Sequence, residues 1–498
     1  MSCPRAGRAL SPGRSRTAIL DRTRATRRLA FARARIESPP VELPDQLRRL
    51  LRDVPELARA YLVGGCVRDA LLGMPNKDFD LEVFGVSFEA LQEALRPHGR
   101  VDLVGRAFGV VKFRSANGDQ WDFSIPRRDS KTGVGHTGFA VTFDPDITPQ
   151  EAARRRDFTI NAILYDPRRD EHLDFFGGRD DLRNRVLRHT GPAFTEDPLR
   201  VLRGMQFASR MELQPARETV ELCRSISSTF GELPRERVGD EWLKWAAKSR
   251  RPSIGLQFLR DCDWLKHFPE LAALDGTPQD PEWHPEGDVF IHTCHCCDAL
   301  ATLDGWLAAD DETKCALMLA VLTHDLAKPQ TTHEAERDGR LRIVSPGHEE
   351  QSGPLAEAFL SRINAPKAIR ERVVPLVTNH LAHLQTQSDR SVRRLANRLR
   401  PATIDELCLV MTADQFGRPP KPREVHAGVR DLLKRAEALR LQDQAPRPIL
   451  LGRHLIGRGM KPGKEFGRLL AAGFEAQLEG AFHDVAGAER WLDEQLGQ

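Results

Sequence analysis

Between Ala60 and Phe84 the sequence alternates short apolar runs with glycine turns and acids in a pattern that few folds accommodate. Tyr61-Leu-Val-Gly-Gly-Cys-Val-Arg-Asp69 reads as a strand over Ala60–Val63, stopped at Gly64-Gly65 and followed by a helix over Val67–Leu72. Glycines there let backbone N–H groups approach a phosphate, a helix start favours an anion, and Arg68 adds a fork of donors. Lys77-Asp-Phe-Asp-Leu-Glu-Val-Phe84 then reads as a second strand. Residues i and i+2 of a strand share a face, so Asp78 and Asp80 present two carboxylates together. Two such carboxylates can hold a pair of divalent ions about 3.5–4 Å apart. Alone, either motif is ordinary; in this order and spacing they point to one site for a metal and a triphosphate.

Three further features extend it. Arg154-Arg-Arg-Asp-Phe-Thr-Ile-Asn161 sets three arginines, Arg156 the last, before an apolar run. That suits a phosphate clamp, with Asp157 and Asn161 placed for a ribose. Glu196-Asp-Pro-Leu-Arg-Val-Leu-Arg203 puts Pro198 in the first turn of a helix and spaces Asp197, Arg200 and Arg203 by three along one face. As surface ion pairs these are worth about 0–1 kcal/mol; as a rigid set of donors and acceptors they can read a base edge. Asp122, in Trp121-Asp-Phe-Ser, is either a third carboxylate on a neighbouring strand or an ordinary strand-edge acid.

These segments resemble the motifs of the class II tRNA nucleotidyltransferases, the CCA-adding enzymes, and of their sister bacterial poly(A) polymerases. The resemblance covers about Tyr61–Arg210. It implies that Asp78 and Asp80 bind catalytic Mg2+, and that Gly65, Arg68, Arg156, Arg200 and Arg203 contact the nucleotide. It also implies that Asp197 and Arg200 choose CTP or ATP in place of a nucleic-acid template. The segment Arg127–Phe143 resembles the family's flexible loop, which is linked to the switch from C to A addition and argues against an enzyme adding only CC.

The second half reads as helices. His292, His324-Asp325, His348, His380 and Asp414 fall in separate helical segments that can converge on one centre. Imidazole with carboxylate suits Zn, Ni, Mn, Co or Fe more than Mg or Ca. The order resembles the HD phosphohydrolase domain, with His292, His324, Asp325 and Asp414 as ligands and His348 and His380 serving a second ion. The resemblance implies a transition metal such as Ni2+, Mn2+ or Co2+, and 2′,3′-cyclic phosphates, 2′-nucleotides or phosphates as substrates. His292-Thr-Cys-His-Cys-Cys297 looks metal-like but lacks a partner half at zinc-site spacing, so its cysteines read as helix packing. The basic, Gly/Pro-broken Ile456–Lys464 segment suits contact with RNA phosphate.

Composition narrows the class. The 498 residues are 40% hydrophobic and 29% charged, a globular profile. The run Ala316–Leu322 falls far short of the roughly 20 apolar residues of a membrane span. Nine cysteines without framework spacing fit a reducing cytoplasm. The net charge is +3, yet residues 1–36 carry ten arginines against one acid, leaving a mildly acidic body. That basic segment reads as a disordered tail or over-extended start, and a targeting peptide or RNA-binding arm shares its composition.

The expected fold is α+β. A basic extension with a leading helix spans 1–57, and a mixed polymerase-β-like head spans 58–190. A helical neck follows over 191–275, an HD domain over 284–415 and a helical C-terminal region over 416–498. The expected function is template-independent CCA addition to the tRNA 3′ end from CTP and ATP, with a second, phosphohydrolase activity. Alternatives are a bacterial-type poly(A) polymerase, a CC-only or A-only enzyme, or an HD phosphohydrolase with an inactive head. No membrane partner is expected, and the oligomeric state stays open.

Overall fold

The structure is a computed structural model that describes residues 41–75, 78–105, 109–131, 139–385 and 387–497. The basic N-terminal segment and residues 132–138 of the loop singled out above lie outside the described residues. The chain divides into two compact units, one ending at Ala272 and one beginning at Ala273.

The first unit is built on a mixed sheet. Its strands are β1 (Ala60–Val63), β2 (Phe79–Val83), β3 (Arg100–Gly105), β4 (Val110–Arg114) and β5 (Gln120–Ser124). A hairpin of β6 (Arg127–Lys131) and β7 (Phe139–Phe143) stands apart, and β8 (Leu164–Asp166) and β9 (Glu171–Leu173) complete the sheet. The order is β3-β4-β5-β2-β1-β8-β9. Within this sheet, among the described residues, only β2 and β5 pair in parallel, with Asp80 opposite Asp122 and Glu82 opposite Ser124. A parallel pair needs a crossover, supplied here by the helix Phe88–Leu95 and the β3–β4 pair. Ser87 caps that helix by accepting from Ala90 N, and Leu91 and Leu95 are buried. Along β2 the residues Phe79, Leu81 and Val83 are buried, while Asp80 is exposed on the opposite face. A one-residue slip would exchange the two sets.

The leading helix differs from expectation. It covers Asp45–Asp53 and stops before Pro55, where a short 3-10 turn carries Leu57 into the core. Pro55 lacks the N–H that would continue the helix. Helices Leu199–Met211, Arg217–Ser225, Arg235–Lys248 and Pro252–Asp261 complete the unit around the buried Trp242, Trp245, Trp264 and Phe268. Two of these helices nearly touch at Gly255, where an added Cβ would lie 2.3 Å from Ser209 Oγ and 2.5 Å from the Met205 carbonyl.

The second unit is mostly helical, with long helices at Val289–Leu300, Asp311–Thr323, His348–Arg362, Lys367–Thr378 and Ile404–Phe416. Residues Ala316–Leu322 are each at most 1% exposed, so this apolar run is buried all round. One feature departs from a purely helical reading. An antiparallel hairpin joins His333–Arg337 to Arg340–Val344 through Asp338-Gly339, both at positive φ, as a two-residue hairpin turn favours. Pro354 lies inside the helix His348–Arg362. A small C-terminal cluster packs around Leu450, Leu455, Leu469, Phe482 and Leu492. Among the described residues no helix is long and apolar enough to cross a membrane.

Candidate active site and metal centre

Asp80 and Asp122 face each other across β2 and β5, and Asp78 directly precedes β2. Desolvation first, then the Asp122 and Asp78 carboxylates, raise the Asp80 pKa above its ordinary value, with Arg156 opposing them. Such crowding of acids is costly without a cation. The next residues along the same sheet face, Glu82 and Ser124, line a cleft of about 430 Å³. Six arginines line it too: Arg127, Arg155, Arg156, Arg200, Arg203 and Arg237, together with Asp157 and Asp197. The acids and the basic cleft are therefore continuous.

Local turns set these side chains. Gly64 has φ +73°, and a Cβ there would come 3.0 Å from Arg156 Nη1, so the glycine leaves room for that guanidinium. Arg156 Nη2 lies 3.5 Å from Glu82 Oε2, an oxygen buried without a hydrogen bond. Gly65 opens the helix Gly65–Leu71. Arg68 is buried, not a lining residue of the cleft: it donates to Asp69 and, at 2.6 Å, to Asn161 Oδ1. Asn161 Nδ2 in turn donates to Asp157 Oδ1 at 2.9 Å, and Arg203 Nε donates to Asp157 Oδ2 at 2.7 Å. Burial alone would raise the Asp157 pKa; Arg203 and the hydrogen bonds hold it below the usual carboxylate value. Arg68, Asn161, Asp157 and Arg203 thus form one hydrogen-bonded brace, buried at Arg68 and Asn161 and reaching the cleft at Asp157 and Arg203.

Asp197 and Arg200 share the start of the helix Leu199–Met211 without pairing. Asp197 Oδ1 accepts from Leu199 N at 3.0 Å, and Oδ2 accepts from Arg237 at 3.2 Å. Arg200 donates to two carbonyls, those of Ala193 and Arg155, at 2.7 and 2.9 Å. Burial lowers the Arg200 pKa, opposed by Asp157 and Asp197. Glu82 and Arg237 escaped the sequence reading. Glu82 continues the alternation of Asp78 and Asp80 and was visible as a third acid; Arg237 lies forty residues beyond Asp197 and left no local signal.

In the second unit all six expected residues meet. His292 Nε2 is 3.1 Å from Asp414 Oδ1 and 3.7 Å from Asp325 Oδ2; His324 Nε2 is 3.1 Å from the same Asp325 oxygen. The other oxygen, Oδ1, is 3.1 Å from His348 Nε2 and 3.9 Å from His380 Nε2. Asp325 therefore turns one oxygen to each of two imidazole pairs. Each ring is anchored at its other nitrogen. His324, His348 and His380 set Nδ1 2.7 Å from the carbonyls of Val321, Ser345 and Val377, and His292 Nδ1 is 2.7 Å from Glu286 Oε1. Carbonyl and carboxylate oxygens only accept, so Nδ1 carries the proton and Nε2 offers its lone pair inward in the neutral ring. His324 Nε2 and both Asp325 oxygens are buried without a hydrogen bond of good geometry. This donor set, with anchored outer nitrogens and unsatisfied inner atoms, fits a metal ion. Burial first, then neighbouring His324 and His348, push the His380 pKa down to about 3, which keeps that ring neutral.

Several neighbours were not foreseen. Lys328 Nζ lies 2.8 Å from Asp325 Oδ2, and Arg418 donates to Asp414 at 2.6 Å. His284 and His292 share Glu286 Oε1 at 2.9 and 2.7 Å. Arg418 follows Asp414 by four residues, a spacing readable from sequence; Glu286 and His284 precede the helix and were not. Cys294, Cys296 and Cys297 are buried on the helix Val289–Leu300, and Cys296 Sγ comes within 3.3 Å of His292 Nε2.

Comparison with known proteins shows the family. A family model described as the Poly A polymerase head domain matches residues 60–188. The chain is 39% identical over 375 residues to the multifunctional CCA protein of Xanthomonas campestris pv. campestris (strain B100), covering 72% of this chain and 85% of that protein. With the multifunctional CCA protein of Nitrosococcus oceani it shares 37% over 370 residues, 72% and 84% of the two chains. In fold it resembles the Bacillus stearothermophilus CCA-adding enzyme in complex with CTP, at TM-score 0.62 and 20% identity over 91% of this chain and 98% of that one. The Thermotoga maritima CCA-adding enzyme complexed with tRNA-CCA gives 0.56 and 19% over 91% and 96%. From the identity and coverage shared with the curated relatives, the chain belongs to the class II CCA-adding enzymes and is a nucleotidyltransferase.

Proposed function

We propose that the first unit adds C, C and A to the 3′ end of tRNA from CTP and ATP. The observation that carries this reading is the continuity of the Asp80–Asp122 pair with the arginine-lined cleft on one sheet face. Residues 58–190 act as the catalytic head and 191–275 as the neck that carries the base reader. Asp78 and Asp80, with Asp122, hold Mg2+, which when bound activates the attacking hydroxyl and neutralises the leaving pyrophosphate. The tRNA 3′ oxygen forms a bond to the α-phosphorus and gives up its proton, and the bond from that phosphorus to the pyrophosphate oxygen breaks. Arg156, set between Gly64 and Glu82, offsets triphosphate charge. Cytosine and adenine each present an acceptor nitrogen beside an amino donor; uracil and guanine present the reverse. A carboxylate that only accepts and a guanidinium that only donates match the first pair. Asp197, oriented by Leu199 N and Arg237, and Arg200, oriented by two carbonyls, supply that pattern. The site of action is the cytoplasm.

The deciding assay uses tRNA transcripts ending at the discriminator base, at CC and at CCA, each with Mg2+ and CTP, ATP or both. Addition should stop at CCA. An unbounded A tail would reassign the chain to poly(A) synthesis, and stopping at CC would reassign it to partial addition. Arg200→Ala should erode the preference for CTP over UTP about 10- to 100-fold, the worth of one charge-assisted hydrogen bond, with a smaller effect on the KM for tRNA. Equal loss for all four nucleotides would remove Arg200 from base reading.

The second unit supports a separate reading, a metal-dependent phosphohydrolase at residues 284–415. His292, His324, Asp325 and Asp414, with His348 and His380, hold a transition metal such as Ni2+, Mn2+ or Co2+, which supplies Lewis-acid activation of water. Water adds oxygen to the phosphorus of a 2′,3′-cyclic phosphate, 2′-nucleotide or other phosphoester. One phosphorus–ester oxygen bond breaks, and that oxygen takes the proton. Lys328, next to Asp325, and Arg418, next to Asp414, bring positive charge to the place where a phosphoryl group would bind.

A further inference from the structure

We propose that Trp283 is a stacking platform for the nucleobase of the substrate hydrolysed in the second unit, an inference that rests on the phosphohydrolase reading above. Trp283 is 56% exposed, whereas the other six of the seven tryptophans are buried or partly buried. A large aromatic surface left in water is unfavourable unless something covers it. The turn that carries it is braced: Trp283 N and His284 N both donate to the Asp280 carbonyl, at 3.1 and 2.8 Å, and Arg342 reaches Asp280 Oδ1 at 3.2 Å.

Both ends of this turn are tied to the metal centre. On one side Gln279 Oε1 accepts from Lys328 Nζ at 2.7 Å, and that same nitrogen is 2.8 Å from Asp325. On the other, His284 shares Glu286 with the candidate ligand His292. Solvent reaches the centre on this side. The side chains of His292, His324, Asp325 and His380 are at most 2% exposed, while those of Lys328, His348, His284 and Arg418 are 9, 10, 13 and 19% exposed. Trp283 adjoins His284 in the chain. Lys421, three residues after Arg418, holds its Nζ 5.3 Å from the indole centroid and donates to the Trp283 carbonyl at 3.1 Å. The indole is thus carried on a turn bonded at both ends to residues around the centre, with a cation against it and open area remaining.

The chemistry that fits is a phosphoester carrying a base. Its phosphate meets Lys328 and Arg418, and its base lies against the indole, whose stacking is indifferent to base identity. A base-free phosphoester would make only the first set of contacts. The platform therefore determines specificity and has no part in the bond cleavage.

The test uses the full-length chain loaded with Mn2+ or Ni2+, adenosine 2′-monophosphate as the base-bearing substrate and glycerol 2-phosphate as the base-free one. Trp283→Ala should lower the ratio of kcat/KM for the nucleotide over glycerol 2-phosphate about tenfold, chiefly through KM, and Trp283→Phe should retain most of it. Independently, adenosine 2′-monophosphate should quench the long-wavelength tryptophan emission of the wild-type chain, and Trp283→Phe should abolish that quench. An unchanged ratio in Trp283→Ala, or a quench that survives in Trp283→Phe, overturns the platform. If the wild type hydrolyses neither compound with any of these metals, the phosphohydrolase reading fails. The fluorescence titration then decides alone whether Trp283 binds a base.

Discussion

Asp80→Ala and Asp78→Ala each lower nucleotide addition by about a thousandfold or more, with the KM for tRNA little changed. The size follows from the number of acids at stake. β2 and β5 bring Asp80 level with Asp122, and Asp78 stands just before the strand. Losing one carboxylate weakens both the grip on Mg2+ and the neutralisation of the leaving pyrophosphate, which is where this chemistry draws most of its catalysis. Single-turnover incorporation of CMP into a CC-lacking transcript measures it. The isosteric Asp80→Asn should be as inactive as the alanine variant while melting like the wild type, which separates lost charge from lost packing. Hydrolysis by the second unit should persist in both. Loss of both activities together would overturn the two-site arrangement.

Asp325→Ala should remove hydrolysis and most of the bound transition metal while leaving CCA addition intact. Its two oxygens face two different imidazole pairs, so no other single residue touches as many of the inward nitrogens. It is also the partner of Lys328, whose side chain is 9% exposed. Stripping a buried ion pair of one member costs about 3–5 kcal/mol. The alanine variant should therefore melt earlier even when stripped of metal. Asp325→Asn should lose metal and hydrolysis just as completely, with the position left filled by a group of the same shape. Metal content by elemental analysis, melting in chelator and transcript extension read the three consequences separately.

The head was readable because its signals are local. Gly64-Gly65 follows an apolar strand, Asp78 and Asp80 obey the two-residue period, and Ser87 with Leu91 and Leu95 marks the helix Phe88–Leu95. The six residues of the candidate metal centre were readable for a different reason: the adjacent His324-Asp325 pair and the order of the others resemble the HD domain. What was lost depended on distance or on weak patterning. β6 is Arg-Arg-Asp-Ser-Lys, with no apolar alternation to announce a strand, and it exists by pairing with β7. The hairpin after His333 had its Asp338-Gly339 turn in plain view, but its strands are too charged to outweigh the helices around them. Spacing suggested that Asp197, Arg200 and Arg203 act together. In the fold all three line one cleft, each held by a different partner: Asp197 by Arg237, Arg200 by carbonyls, Arg203 by Asp157. Period can place side chains on a face; it does not say what waits there.

The proposed base reader, Asp197 with Arg200, is held by a backbone N–H, two carbonyls and one guanidinium, all parts of the folded chain. In a templated polymerase the instruction is a strand that can be exchanged, repaired or proofread against its complement. On that reading the three-letter message is kept as shape. Its copy number is the number of folded molecules, its error rate is set by how firmly the first turn of one helix is pinned, and it can be rewritten only by changing the gene for the protein itself.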